Sequence, residues 1–88
     1  MTKMTLQLTQ RGKEALIYLN ENQSKGLNQT KLARGIDTTY AYTCMLIYRL
    51  IDKELIQRIK KDKREYNLIL TKKGKKMSEL LKEMENIT

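Results

Sequence analysis

Histidine is absent from the 88 residues and cysteine occurs once. These absences remove the ordinary zinc sites, the commonest acid–base side chain and any intrachain disulfide. No Gly-rich phosphate loop is present either. The ten acidic residues are scattered among basic ones on periodic segments, where carboxylates are ordinarily solvated or ion-paired. An enzyme, a cofactor and a metal are therefore not expected. No apolar run exceeds five residues, as from Ala15 to Leu19, far short of the roughly 20 needed to cross a bilayer. The first residues also lack the basic, apolar and small-residue regions of a secretion signal. A cytoplasmic chain without membrane contact is the expectation, with Cys44 reduced.

What is present is positive charge, unevenly placed. Eighty-eight residues with a hydrophobic share of 40% suffice for one domain (1–88) with a modest core. The formal net charge is +8, and the segment from Arg58 to Lys76 alone carries +7, with nine basic residues against Asp62 and Glu65. Charge gathered on one stretch suits a protein that meets a polyanion there. The alternative is a lysine-rich solvated surface.

Along the chain, Met4 to Leu8 alternates apolar and polar residues, as in a short strand or an extended arm. Thr9 is placed to cap a first helix, about Gln10 to Asn20, with Ala15, Leu16 and Leu19 inward. Ile17 and Tyr18 widen its apolar arc beyond one face. A polar loop follows from Asn20 to Gly26, and Leu27 suits a one-residue bridge into a small sheet. Asn28 caps a second helix, about Gln29 to Arg34, with Leu32 and Ala33 inward and Gly35 at the left-handed exit. Ile36 returns to the core, and Asp37, Thr38 and Thr39 are three possible caps for a third helix, about Thr39 to Lys53. Two helices joined by a glycine-containing turn make a helix-turn-helix.

In the third helix, Tyr40, Thr43, Ile47 and Leu50 continue a three-four spacing from Ile36 and mark the buried stripe. Thr38, Ala41, Tyr42, Met45 and Arg49 share the opposite face, which a recognition helix presents to a major groove. Leu55–Lys61 and Tyr66–Leu70 then read as two strands, a hairpin over about 55–70 whose charged tip spans Asp62 to Glu65. Thr71 caps a last helix, about 72–86. Lys72 and Lys73 oppose the dipole of its first turn, a placement made useful by nearby phosphates. The pattern L-T-x-x-G-K occurs at Leu8–Lys13 and again at Leu70–Lys75, as one strand-to-helix junction used twice.

This order predicts an α+β, mostly α, winged helix-turn-helix: a three-helix core, a two-stranded β wing and a C-terminal helix. The wing residues Asp62, Arg64, Leu68, Leu70, Thr71 and Gly74 read D-x-R-x-x-x-L-x-L-T-x-x-G. That pattern resembles the wing signature of the MarR family of transcriptional regulators. Leu50–Ile56 is similar to that family's passage from recognition helix to wing, with Glu54 where the family usually has glycine. The winged-helix likeness covers about Thr9 to Gly74, and the part specific to MarR proteins covers Arg49 to Gly74. The resemblance implies double-stranded DNA as partner, with Arg64 in the minor groove at the wing tip and Asp62 holding its guanidinium. Arginine is favoured in narrow minor grooves, where negative potential is concentrated. Proteins of the MarR family are longer, and 88 residues leave room for one short helix at each end, so a ligand-gated switch is not expected.

On the third helix, Thr38, Thr39, Tyr42, Met45 and Arg49 are candidate DNA contacts, although Tyr42 and Met45 equally suit packing against a neighbour. Arg49 suits guanine or a phosphate, and the hydroxyls suit phosphates or base edges. Lys31, Arg34, Arg58, Lys60, Lys61, Lys63, Lys72 and Lys73 suit the backbone. Cys44, in mid-helix, reads as a small packing residue, with redox sensing as the other reading. Met77, Leu80, Leu81, Met84 and Ile87 form a stripe on the last helix. With Ile17 and Tyr18 it is expected to meet a second copy, or else to fold back on the same core. A homodimeric repressor is the resulting expectation. Two other readings remain: an accessory DNA-binding protein of a plasmid or virus marking an origin of replication or transfer, and a winged-helix protein-interaction module.

Overall fold

The computed structural model describes residues 9–23, 26–63 and 65–87, the last three through their backbone alone. The expected arm at Met4–Leu8, the wing residue Arg64 and the side chain of Ile87 lie outside the described residues. The order is α1 (Gln10–Glu21), α2 (Gln29–Gly35), α3 (Tyr40–Asp52), β1 (Ile56–Lys60), β2 (Tyr66–Leu70) and α4 (Lys72–Ile87). Three helices, an antiparallel hairpin and a final helix make a mostly helical winged helix-turn-helix.

Local chemistry starts each helix. The Thr9 hydroxyl accepts from the Gly12 amide at 3.1 Å, and Thr71 repeats the bond with Gly74 at 3.0 Å. The doubled L-T-x-x-G-K pattern is thus one capping device used twice. Asn28 caps α2 through the Lys31 amide at 2.9 Å, and Thr39, the last of the three possible caps, starts α3 through the Tyr42 amide at 3.0 Å. Each such cap contributes about 1 kcal/mol by satisfying an orphan amide.

The core joins Ala15, Leu16 and Leu19 of α1 to Leu32, Ile36, Leu46, Ile47 and Leu50 of the helix-turn-helix. Leu55, Ile56, Leu68 and Leu70 at the root of the hairpin complete it. In the hairpin Ile56 faces Leu70, Arg58 faces Leu68 and Lys60 faces Tyr66. Those six therefore share one face, because strand side chains alternate. Leu27 forms the expected single bridge, accepting from the Leu68 amide at 2.7 Å and tying the hairpin to the segment before α2.

Two expectations about helix ends and faces are corrected. Gly35 is not the left-handed exit of α2: it is the last helical residue, and the positive φ falls on Asp37 (56°). Gly35 lies instead beneath Tyr18, whose ring takes the place of a β-carbon at that position. Tyr40 is not buried but 60% exposed, and Leu46 takes the inward place beside Thr43, Ile47 and Leu50. Thr43, Ile47 and Leu50 are buried in the expected phase, and Tyr40 alone departs from it, at the first turn of α3 where the chain has just left the left-handed residue Asp37.

The stripe on α4 also divides. Met77 and Leu81 pack against the core of the same domain, whereas Leu80 (47%) and Met84 (62%) stay exposed. Tyr18 likewise packs against this core, and Ile17 is half-buried. Lys82 pairs with Glu21 at 3.2 Å across α4 and α1. No helix among the described residues is long and apolar enough to cross a membrane.

Candidate nucleic-acid interface

The outward face of α3 carries Ala41, Met45, Tyr48, Arg49 and Asp52, which line one shallow hollow together with Cys44. Met45 and Arg49 are exposed as expected. Tyr42 is not on that face; it is half-buried and packs against the core. Thr38 is half-buried, and the Thr39 hydroxyl is engaged as the α3 cap. Thr43 returns its buried hydroxyl to the Thr39 carbonyl at 2.7 Å, which satisfies it within the helix. Cys44 is half-buried on the flank.

The turn between α3 and the hairpin is held by backbone bonds. The Leu55 amide donates to the Leu50 carbonyl at 2.9 Å, and Glu54 takes the left-handed conformation (φ 62°). From the other side, the Thr71 hydroxyl donates to the Glu54 carbonyl at 2.6 Å and the Thr71 amide to Leu55 at 3.0 Å. Gly74 presses so closely on the Leu55 carbonyl that a β-carbon there has no room. The start of α4, with Lys72 and Lys73, is thereby fixed to the hairpin root. Both lysines line one hollow with Arg58, Glu54 and Thr71.

Beyond Ile56 the hairpin leaves the core, and Gln57, Arg58, Ile59 and Lys60 are all exposed. At its tip the Lys61 amide donates to the Glu65 carbonyl at 2.8 Å, and Asp62 accepts from the Glu65 amide at 3.1 Å. Asp62 therefore shapes the turn; the pair it was expected to make with Arg64 lies outside the described residues. Glu65 in turn accepts from the Asn28 side chain at 3.4 Å, a second tie between the hairpin and α2.

The side chain that joins the two candidate surfaces is Arg58. Its guanidinium lies over the ring of Tyr48 on α3, 5.5 Å from the centroid, and over that of Tyr66 on β2, at 5.0 Å. Neither tyrosine stands out in the sequence as a site residue. The signal was available only through register: Arg58 and Tyr66 lie diagonally on one face of the hairpin, within reach of long side chains. Tyr48 follows Met45 by three residues on the outward side of α3.

The ion pairs found among the described residues, Arg11–Glu14 and Lys82–Glu21, both involve α1. Arg49, Arg58, Lys60, Lys61 and Lys63 are exposed, as are Lys72 and Lys73 at the head of α4 and Lys31 and Arg34 on α2. An exposed helix face, a cationic hairpin and a lysine-bearing helix start thus adjoin one another.

This arrangement defines the class: a winged helix-turn-helix. Solved structures of MepR from Staphylococcus aureus, a transcription regulator of the multidrug efflux pump MepA, match it with 31% identity and a TM-score of 0.80. That match covers 91% of this chain and 62% of MepR. The crystal structure of the S. aureus MepR–DNA complex matches with 30% identity and a TM-score of 0.81, over 90% of this chain and 65% of MepR. The chain thus spans less than two thirds of the MepR length. A protein of Archaeoglobus fulgidus, AF1382, shares the fold at 16% identity and a TM-score of 0.82, over 91% of this chain and 89% of its own. No family model and no curated protein sequence matches the chain.

Proposed function

We propose that this chain is a sequence-specific double-stranded DNA-binding transcription regulator, acting as a homodimeric repressor in the cytoplasm without a cofactor. The observation that carries the reading is the placement of Arg58 against Tyr48, which makes the outward face of α3 and the basic hairpin one surface. In this reading α3 enters a major groove and the wing lies along the neighbouring minor groove. Arg49 meets guanine or a phosphate, Met45 meets base edges, and Arg64 enters the minor groove. Lys31, Arg34, Lys60, Lys61, Lys63, Lys72 and Lys73 hold the sugar–phosphate backbone, setting register without reading sequence. The likeness to MepR, known in complex with DNA, supports this use of the surface.

Leu80 and Met84, exposed on α4, are the residues proposed to meet a second copy. A two-fold pair would set two recognition helices about 34 Å apart and select a near-palindromic site. Selection of bound duplexes from a random pool, followed by sequencing, tests the reading. A palindromic consensus is expected; tandem direct repeats point to the origin-marking role, and no enrichment to a protein-interaction module.

A further inference from the structure

Past Ile56 and Leu68 the hairpin has no core beneath it, since Gln57 to Lys60 and Tyr66 are all exposed. A two-stranded ribbon of this kind is marginally stable alone and twists readily. Two ties hold it toward α2: the Leu27–Leu68 bridge and the Asn28–Glu65 hydrogen bond. Toward α3, the tie beyond the buried root is Arg58 lying against both Tyr48 and Tyr66. A guanidinium suits this place. It is planar and weakly hydrated, so it stacks on rings while its edge N–H groups stay free to donate. A lysine ammonium keeps the charge but has no face to stack.

We infer that Arg58, clasped by Tyr48 and Tyr66, is a positioning residue that sets the angle between the wing and α3, so that one duplex engages both. This rests on the DNA-binding reading and adds to it a role for two tyrosines that need not touch DNA. Loosening the clasp then weakens duplex binding without removing a phosphate contact. A residue that only holds a phosphate behaves differently, because its loss lowers the salt dependence by about one ion.

The test uses the full chain and a duplex taken from its own selected pool. Tyr48→Leu and Tyr66→Leu each weaken binding about two- to fivefold, with the slope of log affinity against log salt unchanged. Tyr48→Phe and Tyr66→Phe keep the Arg58 contact in the free protein, read as an unchanged upfield position of its δ-methylene protons, since the ring face and not the hydroxyl holds the guanidinium. In a double-mutant cycle, Tyr48→Leu adds nothing once Arg58→Lys is in place. Both tyrosines are exposed, so circular dichroism should show each variant folded. Without DNA, the Arg58 δ-methylene protons of the wild type resonate upfield from the ring currents and return toward ordinary values in each leucine variant.

Ordinary Arg58 shifts in the free protein overturn the clasp, whatever the duplex does. Additive losses in the cycle, with wild-type binding intact, overturn the positioning role and leave the DNA reading standing. Wild-type protein that binds no duplex overturns both.

Discussion

Tyr18 of α1 lays its ring on Gly35, the last residue of α2, and fills the space where a side chain at position 35 would begin. The contact pins the first helix to the end of the second, and it makes Tyr18 part of the domain's own packing. Gly35→Ala forces the far end of the ring aside, and the net cost should be no more than about 1 kcal/mol, because the ring is half-buried and alanine is the better helix former. A thermal melt should show a midpoint lowered by about 4–8 °C for each kcal/mol lost. An unchanged midpoint means that the ring yields freely.

Glu54 adopts a left-handed backbone (φ 62°) where the wing leaves α3. A side chain in that region costs roughly 1 kcal/mol, and glycine accepts it without strain. Glu54→Gly should therefore raise the urea midpoint slightly, by up to about 0.5 kcal/mol in stability, the unfolded chain's extra freedom offsetting much of the gain. A loss of stability would mean that the Glu54 side chain supports the turn.

Ser78 of α4 is fully buried, and its hydroxyl has no hydrogen-bond partner among the described residues. Removing an unsatisfied buried hydroxyl relieves its desolvation cost, and alanine is also the better helix former. Ser78→Ala should stabilise the fold by about 1 kcal/mol in a denaturant titration. Destabilisation of that size would point to a partner for the hydroxyl.

Leu80 and Met84 are exposed apolar residues on α4, while Met77 and Leu81 on the same helix face inward. Replacing Leu80 and Met84 together by serine should shift sedimentation from dimer toward monomer, with helical content and melting little changed. Replacing Met77 and Leu81 should instead lower the melting point. A dimer that survives loss of Leu80 and Met84 lies elsewhere on the chain.

Much of this architecture was legible because its determinants are local. Thr9, Asn28, Thr39 and Thr71 cap helices through atoms three residues away, so the sequence alone places them. Leu27 and the hairpin followed from short apolar patterns beside turns. The buried stripe Thr43, Ile47 and Leu50 was legible from its spacing, whereas the exposure of Tyr40 was not, because it depends on what lies beside the first turn of α3 rather than on the spacing. Gly35 was misread for a related reason: it lies beneath a tyrosine 17 positions earlier and does not serve its own turn. The basic residues of the interface were visible as charge. Tyr48 and Tyr66 were not, since their function depends on the register of one element and the docking of another.

The most direct test of the account is the affinity of the wild-type chain for its selected duplex as salt is raised, alongside Lys60→Gln with Lys61→Gln on the wing and Arg49→Gln on α3. If helix and wing form one surface for DNA, affinity should fall about 10³-fold or more between roughly 50 and 200 mM salt for a dimer meeting six or more phosphates. Charge removal on either element should then weaken binding and flatten that slope. Affinity that is indifferent to salt, or insensitive to the wing lysines, would contradict the account.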